Sequence, residues 1–597
     1  MTMRRRPPPF SNSAHHRNSF LSSLRNLKAS PSWRRISPSG VVVRFRLRCP
    51  QRHVSRASAL DGTNTNTPGS LKRIHFVGIA GAGLAPLAIC ASTMVPTRFK
   101  AISGSDASES PKLRRLTEKH GILTYAGSNA AHIQNNVDVV VRSTAVPDDD
   151  VELATARKYG IPILSRSHFV PDLLEQSRIV AIAGTHGKTT TTGMTAVAAV
   201  YAQPSTTTVR AIVGGDVADF GSDMDGFFSN QDGDVNDGAA KPVAIVEADE
   251  YGGMFDLMSP HVAVITSVEW EHVDYYRTPE SYHAAFDGFA SRSHVLLACA
   301  DDEGALAIAR KHPNALLYGT SRDCVVGNGG GFHVDEEDRT LTFYSSSSSA
   351  DDGILVANLD VPLPGRYNLL NAAAAVAANA LLEMADEETT CTPSRSALAA
   401  ADAACRRIAT FRGVARRFEL LTPSPLVLDD GATFEFVDDY AHHPTEIASA
   451  LSAMREKFDE TAYGIWVVVQ AHTQTRLAAM HESFADALAS GVPRGCWICV
   501  VETFRARDEG RLSHADGSTL DGSSQLDARA LVGRLQVLGC SSVTYASSVD
   551  DAITKVLDRV GTGGAAASTS TPRTAVLTLG AGDVTRVGRA CVKRLQT

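Results

Sequence analysis

Short runs of apolar residues recur along the chain, and most of them end in glycine or in polar residues. Examples are "RIHFV" from Arg73, "VDVVV" from Val137, "RIVAIA" from Arg178, "VAIVE" from Val243 and "VAVIT" from Val262. Continuous apolar runs of this length are typical of strands that are buried on both faces of a parallel sheet. Helix-compatible stretches separate them, so the pattern predicts an α/β protein with mostly parallel sheets.

These strands fall into three successive groups, which predicts three domains. We expect the first over residues 71–175, the second over 176–408 and the third over 409–597. A chain of 597 residues has room for them at about 150 residues per domain. Segments that begin at Gly221, Ser345 and Gly561 are rich in Gly, Ser or Asp, and we expect mobile surface insertions there.

The start of the chain differs from the rest in composition. Residues 1–60 contain 13 Lys and Arg, no Asp or Glu, and much Ser and Pro. This composition is typical of an organelle transit peptide, and a basic tail that binds nucleic acid or anionic surfaces is the alternative. We expect residues 1–70 to be a disordered transit peptide and linker.

The rest of the chain is acidic. With those 13 bases removed, 45 Lys and Arg remain against 65 Asp and Glu, a net charge of −20. Such a charge disfavours nucleic-acid binding. No apolar run approaches the roughly 18 residues of a membrane span, so we expect no membrane insertion. The ten cysteines are scattered, as in a reducing compartment. Cys496 and Cys499 form a C-x-x-C pair, but it lies in a strand-like apolar run, which favours core packing over redox or metal chemistry.

A glycine-rich turn follows the first apolar run. Gly78, Gly81 and Gly83 stand between a predicted strand and a predicted helix, with Asp106 about 20 residues further on. Glycines in this position let the backbone approach a pyrophosphate, and an acid at that distance can bind a ribose. The spacing G-x-x-G-x-G does not indicate which nucleotide is bound, and a tightly packed strand-to-helix turn is the alternative.

A second loop, Gly184-Thr-His-Gly187-Lys188-Thr189, follows the run "RIVAIA". The general nucleotide loop has a glycine five residues before the one that precedes the lysine, and Ile182 stands there instead. The other features fit phosphate binding. Small residues let the backbone curl around oxygens, Lys188 would neutralise a β- or γ-phosphate, and Thr189 would hold Mg²⁺.

Acidic residues follow the next two predicted strands. Glu247 ends "VAIVE", and the segment from Thr266 contains Glu269, Glu271, His272 and Asp274. The carboxyl ends of parallel strands lie at one edge of a sheet, so these groups are expected near the phosphate loop. Mg²⁺ prefers carboxylates beside phosphates, which predicts a metal and phosphate site there.

The series of motifs resembles the Mur ligase family over roughly residues 73–597. Besides the loop at Gly184, it includes "FVGIAGAGLAPLA" from Phe76, "PGRYNLLNAAAA" from Pro364, "FRGVARRFE" from Phe411, "DDYAHHPTEI" from Asp438, "QAHTQTR" from Gln470 and "GAGD" from Gly580. The family's phosphate loop is G-T-x-G-K-T/S, which accounts for Ile182. The resemblance implies a Rossmann-like UDP-binding domain, a central P-loop-type ATPase domain and a Rossmann-like C-terminal domain.

The resemblance also implies an activity. Mur ligases of this kind use ATP and Mg²⁺ to phosphorylate the carboxylate of a UDP-sugar acid, UDP-N-acetylmuramate, and an amino acid, here L-alanine, then attacks the acyl phosphate. The partners would be these small molecules, and the motifs do not indicate an oligomeric state. The implied catalytic residues are Lys188, Glu247, His272, His472 and Arg476. The implied metal ligands are Thr189, Glu247 and His272. The implied ATP-binding residues are Gly184, Thr185, His186, Gly187, Lys188, Thr189, Thr190, Asn371 and Asp439. The implied UDP-binding residues are Gly78, Gly81, Ala82, Gly83, Asp106, Ser143 and Thr144.

Several positions depart from the family pattern, mostly on the substrate side as the sequence presents it. They are Tyr251, Gly252, Tyr367, Thr473 and Gln474. Two alternatives follow from them: a Mur-type ligase with a changed acceptor, as in a murein peptide ligase, and a non-catalytic nucleotide-binding regulator. The pair His442 and His443 suggests a zinc site, but no Cys/His set surrounds it. By family logic the organelle is a plastid rather than a mitochondrion.

Overall fold

The computed structural model describes residues 71–596, with the exception of 134–136, 222–223, 232–240, 273–274, 313–314, 346–352, 385–393, 494, 505–526 and 562–572. The predicted transit peptide, the expected insertions at 346–352 and 562–572, and Asp274 therefore lie outside the described residues. All described residues belong to one compact unit.

The first domain contains a five-stranded parallel sheet with the order β3-β2-β1-β4-β5. Its strands are β1 (Lys72–Val77), β2 (Phe99–Asp106), β3 (Leu123–Ala126), β4 (Val139–Arg142) and β5 (Ile163–Ser165). Its helices are α1 (Ala85–Ser92), α2 (Pro111–Glu118), α3 (Val151–Lys158) and α4 (Arg166–Leu174). Helices α2 and α3 follow the caps Ser110 and Asp150, whose side chains accept backbone N–H bonds in the first turn.

The second sheet has ten strands in the order β15-β14-β13-β12-β11-β10-β6-β9-β7-β8, parallel in its centre and antiparallel at both edges. Its strands are β6 (Arg178–Ala183), β7 (Val209–Ile212), β8 (Phe227–Ser229), β9 (Val243–Glu247), β10 (Val262–Ile265), β11 (Val295–Cys299), β12 (Ala315–Gly319), β13 (Gly330–Asp335), β14 (Thr340–Ser345) and β15 (Ile354–Asn358).

Among the described residues of this domain, six α-helices accompany the sheet. They are α5 (Lys188–Ala202), α6 (Pro279–Ser291), α7 (Glu303–Ala309), α8 (Arg322–Gly327), α9 (Arg366–Met384) and α10 (Arg395–Ile408). A short 3-10 segment spans Tyr251–Leu257. Helices α5, α9 and α10 pack against one another, and their many alanines allow this close approach. The sheet thus carries a helical layer that places the start of α5 at its edge.

The third sheet has the order β16-β18-β22-β19-β20-β21, with β17 paired to β18. Its strands are β16 (Glu419–Leu420), β17 (Leu426–Val427), β18 (Thr433–Asp439), β19 (Gly464–His472), β20 (Trp497–Phe504), β21 (Val543–Ala546) and β22 (Arg573–Leu579). Its helices are α11 (Pro444–Lys457), α12 (Gln474–Gly491), α13 (Ala528–Val537), α14 (Val549–Gly561) and α15 (Thr585–Leu595). Separate cores cover its two faces.

The predicted α/β class, with three successive domains and parallel sheets, is confirmed. The C-x-x-C pair also behaves as predicted. Cys496 belongs to the core on one face of the third sheet and Cys499 to the core on the other, and burial raises the pKa of Cys499 to about 12. Among the described helices, none has the length and apolar character needed to cross a membrane.

The structure differs from the sequence prediction in part of the segment that begins at Gly221. Residues 224–231 are described and include β8. Asp225 is 5% exposed, and its carboxylate receives two bonds from Arg115 of the first domain, at 2.7 and 3.1 Å. The expectation of a mobile loop was wrong for this part, because Asp225 ties the second domain to the first.

Candidate active site

The phosphate loop connects β6 to α5 through two glycines in unusual conformations. Gly184 has φ +142°, and a Cβ there would lie 2.1 Å from Thr266 Oγ1. Gly187 has φ +81° in the left-handed region, and a Cβ there would lie 2.7 Å from Asn371 Oδ1. Both positions therefore require glycine. The loop is shorter than the general nucleotide loop, and its backbone is fixed by neighbouring residues rather than by a third glycine.

Lys188 lies at the start of α5 with its ammonium in a ring of oxygens. Nζ is 2.9 and 3.1 Å from the two oxygens of Glu250, and it also contacts the carbonyl oxygen of Gly184. Burial lowers the pKa of Lys188, but the charges of Glu250 and Asp249 outweigh burial and raise it. Lys188 therefore stays cationic. The sequence analysis did not single out Glu250, which lies three residues after Glu247.

Glu247 ends β9 beside the phosphate loop, as predicted from the strand pattern. Its carboxylate accepts bonds from Thr189 Oγ1 at 3.0 Å and from the Gly214 backbone N–H at 2.7 Å. Burial raises the pKa of Glu247 above its ordinary value, although Lys188 opposes this. Thr189 and Glu247 thus present neighbouring oxygen donors at the end of the sheet.

His272 lies near these groups but is bonded to a different carboxylate. Its Nε2 is 3.3 Å from Glu250 Oε1, and its ligand atoms and those of Asp249 and Glu250 lie within 4.8 Å of one another. Burial lowers the pKa of His272, and Glu250 outweighs burial and raises it. Tyr251, one of the departures from the family pattern, packs on His272 with ring centroids 4.9 Å apart. The predicted trio of Thr189, Glu247 and His272 is therefore divided into a Thr189–Glu247 pair and a His272–Glu250 pair.

The glycine-rich turn of the first domain has the predicted strand–turn–helix form. The N–H groups of Gly78 and Ile79 both bond to the Ser105 carbonyl oxygen. Asp106 accepts the N–H of Ala80 at 2.9 Å, so its carboxylate stabilises the turn. A Cβ on Gly78 would lie 2.9 Å from Ser143 Cβ. Asp106 and Ser143 thus each lie against the turn.

A single cavity of about 570 Å³ joins residues of all three domains. Ala82 and Gly83 of the turn line it, together with Thr185, Gly187, Lys188 and Thr189 of the phosphate loop and with Glu247, Glu271 and His272. Residues of the third domain that line it include Arg416, Arg417, Tyr440, His442 and Glu446. The other predicted UDP-binding residues do not line this cavity; they are Gly78, Gly81, Asp106, Ser143 and Thr144.

Two arginines that sequence reasoning did not single out reach into the cavity. Arg166 of α4 bonds to Asp249 at 2.9 Å, and its Nη1 lies 2.7 Å from where a Cβ on Gly83 would be. Arg417 of the third domain donates to Thr189 Oγ1 at 3.3 Å and lies over the ring of Tyr440 at 4.8 Å. Arg417 belongs to the motif from Phe411, whereas Arg166 lies in none of the motifs above. The approach of one domain to another is not visible in the sequence.

His472 and Arg476 lie beside the cavity. Arg476 forms a 2.6 Å ion pair with Glu271, which joins the third domain to the second. Burial, with help from His442 and Arg476, lowers the pKa of His472 to about 4. Its ring stacks on Phe504 at 5.4 Å, so His472 is a neutral group held in a fixed orientation.

Three residues assigned to ATP binding by resemblance have other contacts. Asp439 is buried and its carboxylate accepts the N–H groups of Phe418 and Ala441, so it fixes the backbone there, and its role in ATP binding stays a prediction. Asn371 lies beneath the phosphate loop and accepts a bond from Thr191 Oγ1 at 3.0 Å. Thr190 is buried within α5. Asn371 and Thr190 thus lie behind the loop, next to and within α5.

The departures from the family pattern are not all on the substrate side. Tyr367 packs against the core of the third domain and does not line the cavity. Thr473 has φ +69°, and its side chain accepts the N–H of Arg476 as the cap of α12, with Gln474 as the first residue of that helix. Gly252 has φ +70° beside Tyr251. The expectation was therefore wrong for Tyr367, whose position is in a core.

Known protein domains match three successive parts of the chain. The Mur ligase family catalytic domain matches residues 73–178, the Mur ligase middle domain 182–379, and the Mur ligase glutamate ligase domain 416–582. A UDP-N-acetylmuramate–L-alanine ligase of Roseiflexus sp. is 32% identical over 545 residues, covering 87% of this chain and 99% of that protein. The enzyme of the same name from Paenarthrobacter aurescens is 33% identical over 538 residues, covering 88% and 98%.

Solved structures show the same architecture. The UDP-N-acetylmuramate–alanine ligase of Thermotoga maritima has a TM-score of 0.60 and 22% identity, covering 88% of this chain and 99% of that one. A murein peptide ligase of Psychrobacter arcticus has a TM-score of 0.55 and 19% identity, covering 88% and 98%. These two likenesses support the fold. Together with the domain matches and the relatives above 30% identity, they confirm the resemblance of the motifs: the chain belongs to the Mur ligase family.

Proposed function

We propose that this chain is an ATP-dependent ligase that joins L-alanine to the carboxylate of UDP-N-acetylmuramate in the synthesis of a peptidoglycan precursor. The observation that carries the proposal is the single cavity in which the phosphate loop, the glycine-rich turn and the third domain meet. The curated relatives named for this reaction are similar over almost their whole length. The reaction needs three substrates to meet at one place, and this cavity is formed by three domains.

The reaction proceeds in two steps. A carboxylate oxygen of the muramate attacks the γ-phosphorus of ATP, and ADP leaves. The amine of L-alanine then attacks the carbonyl carbon of the acyl phosphate, phosphate leaves and an amide forms. Phosphoryl transfer depends on positioning and charge neutralisation. Lys188 and Arg417 supply positive charge on either side of Thr189, at the mouth of the loop.

Mg²⁺ fits the oxygen donors at the end of β9. The Thr189 hydroxyl and the Glu247 carboxylate are in contact at 3.0 Å and both line the cavity, and Mg²⁺ prefers such oxygen donors beside phosphates. When bound there, Mg²⁺ would neutralise charge on the phosphate oxygens. His272 is less suited as a ligand, because a metal requires neutral imidazole and Glu250 raises the pKa of His272.

The site of action proposed for the protein is a plastid. The support is the acid-free, Arg- and Ser-rich composition of residues 1–60, together with the bacterial type of the relatives. A fluorescent fusion of residues 1–70 tests this proposal, and we expect it to enter plastids. A diffuse cytosolic signal would reject the transit peptide, and a mitochondrial signal would reject the plastid.

A screen of ADP release tests the activity. UDP-N-acetylmuramate and other UDP-sugar acids are each combined with single amino acids and with short muropeptides, in the presence of ATP and Mg²⁺. We expect release with UDP-N-acetylmuramate and L-alanine. Release with a free peptide instead would identify a murein peptide ligase, and binding of ATP without release in any combination would identify a non-catalytic regulator.

A further inference from the structure

His186 is the one residue between Thr185 and Thr189 that does not line the cavity. Its ring lies instead between two carboxylates that belong to different domains. Nε2 is 3.0 Å from Glu269 Oε2 in the second domain, and Nδ1 is 3.2 Å from Glu446 Oε1 in the third. The phosphate loop is thereby joined directly to the start of α11.

The geometry determines the protonation state of His186. An ionised carboxylate only accepts hydrogen bonds, and a neutral imidazole has one N–H to donate. Both bonds can exist together only when both ring nitrogens carry protons. Burial lowers the pKa of His186, but the bonds to Glu269 and Glu446 outweigh burial and raise it to about 9. His186 is therefore an imidazolium at neutral pH.

Glu446 also forms the hydrogen bonds that cap the start of α11. Its Oε2 accepts the backbone N–H groups of His442 at 3.0 Å and His443 at 3.4 Å, which forms a capping box at the start of α11. Its Oε1 is left to receive His186. One carboxylate thus fixes both the helix start and the phosphate loop.

Several other charged and titratable groups face this contact. From the second domain they are Glu269 and Glu271, and from the third they are His442, His443, Arg417 and Glu446. Arg417 Nη1 is 3.9 Å from Glu446 Oε1, and the ring of His443 is 5.0 Å from that of His186. Burial, with help from the charge of His186, lowers the pKa of His443, so one histidine of the two is charged.

A metal ion is the rival occupant of this cluster, because ligand atoms of His186, Glu269 and His443 lie within 4.8 Å of one another. A metal-bound histidine donates its other N–H to a carboxylate or carbonyl oxygen. His443 does the reverse: its Nδ1 accepts the N–H of Thr445 at 3.4 Å, which leaves the proton on Nε2, the atom nearest Glu269. The hydrogen bonds therefore favour an ion-pair bridge.

We propose that His186 is a positioning residue whose imidazolium docks the third domain on the phosphate loop, and so brings Arg417 and Tyr440 to the cavity. When His186 loses a proton, it can keep only one of its two bonds as a donor, and the docking of the third domain is weakened. The proposal rests on the proposed function only in taking the cavity as the ATP site. Its test measures docking and not ligation.

The experiment measures the distance between the second and third domains in the full chain as the pH changes. Fluorophores for energy transfer are attached through unnatural amino acids at Ala307 and Ser483, which are exposed on α7 and α12. A raised pKa means that protonation favours docking. Docking should be complete below about pH 6.5 and decline as the pH rises through about 9. The docked-to-undocked ratio should fall about tenfold for each unit by which Glu446 raises the pKa of His186.

Glu446→Gln is the decisive variant. The amide oxygen of the glutamine can keep the capping bonds, while its NH₂ group faces Nδ1 of His186 and favours the neutral ring. We expect the decline between pH 6.5 and 9 to disappear. Glu460→Gln removes the same charge from an exposed position and should behave as wild type. His186→Gln gives a second test if Glu446→Gln does not fold, and it should likewise show no decline.

Three results would overturn the proposal. The first is docking in wild type that does not change with pH. The second is a Glu446→Gln or His186→Gln variant that titrates like wild type. The third is docking that EDTA abolishes and Zn²⁺ restores, which would assign the cluster to a metal. ADP release is measured separately, so absent ligation with intact pH-dependent docking would reject the proposed activity and leave this inference standing.

Discussion

Lys188 and Glu250 form a buried ion pair at the base of the phosphate loop. Nζ lies 2.9 Å from Oε2, and the side chain of Glu250 is fully buried. Tyr282 donates to the same carboxylate at 3.3 Å, and the His272 ring lies at the same distance from it. The lysine that would bind ATP phosphates is therefore held by a carboxylate until a phosphate competes for it.

Lys188→Ala should abolish ADP release and also destabilise the protein. The loss of activity follows from removing the positive charge at the transferring phosphoryl group. The loss of stability follows because Glu250 is left buried without its main counterion, which costs about 3 kcal/mol or more. Chemical denaturation measures the second effect and ADP release the first.

The double variant Lys188→Ala/Glu250→Gln separates the two roles. Neutralising Glu250 removes the unpaired buried charge, so stability should return toward that of wild type while ADP release stays absent. If Lys188→Ala alone unfolds at the same denaturant concentration as wild type, Glu250 does not depend on Lys188 for its charge.

Arg417→Met should lower the rate of ADP release by roughly 10- to 1,000-fold, because Arg417 carries charge to the Thr189 side of the cavity. Its side chain is 28% exposed, so stability should change by only about 1 kcal/mol. Steady-state kinetics at varied ATP concentration measure the effect. Arg406→Met, at a side chain 68% exposed, is the matched control and should act as wild type. Equal rates for both variants would remove Arg417 from the reaction.

Local sequence patterns were sufficient to predict the elements that carry this site. Apolar runs predict β6 and β9, and the glycines at 184 and 187 predict the loop between strand and helix, since each of these features depends on neighbouring residues in the chain. The same local reasoning predicted Lys188, Thr189 and Glu247 at one edge of the sheet. Parallel strands bring their carboxyl ends together wherever they lie in the sequence.

Contacts between domains were beyond this reasoning. Arg417 meets Thr189 across 228 positions of the chain, and His186 meets Glu446 across 260. Composition also misled: the Asp- and Gly-rich segment from Gly221 contains Asp225, whose partner Arg115 is 110 positions away. Such pairs depend on how the three folded domains dock. The pattern of apolar residues within one domain carries no information about that docking.

Thr473→Arg should lower stability and should not raise turnover with UDP-N-acetylmuramate and L-alanine. Thr473 is one of the departures from the family pattern, which from sequence alone suggests that a substitution there could raise activity. The structure shows Thr473 at φ +69° with its hydroxyl accepting the N–H of Arg476. Arginine cannot replace that cap, and losing it costs about 1 kcal/mol. Thr473→Ser keeps the cap and is the control. Faster turnover with Arg than with Ser would show that a charge is missing here.

Glu152→Gln should destabilise the first domain in a pH-dependent way. Glu152 is fully buried, and its oxygens bond to Ser105 Oγ at 2.5 Å and His132 Nδ1 at 2.6 Å, with His75 Nε2 3.4 Å away. Burial raises the pKa of Glu152, but these bonds outweigh burial and lower it to about 2. A lowered pKa means that the ionised form stabilises the fold. The contribution is complete above about pH 4.5 and is lost as the pH falls toward 2.

The size of this effect follows from the shift in pKa. At 1.36 kcal/mol per unit, the stabilisation amounts to about 3 kcal/mol at neutral pH. Urea unfolding of wild type and Glu152→Gln at pH 7, 5, 4 and 3 measures it. We expect the difference between the two proteins to be largest at pH 7 and 5 and to shrink at pH 4 and 3, because wild type loses the ionised carboxylate and the variant has none to lose. Ser105 connects Glu152 to the glycine-rich turn. Its hydroxyl bonds to Glu152, and its carbonyl oxygen accepts the N–H groups of Gly78 and Ile79. The variant should therefore also bind UDP-N-acetylmuramate more weakly at pH 7. A difference in stability between wild type and Glu152→Gln that stays constant from pH 7 to pH 3 would show that Glu152 is not ionised in the folded protein.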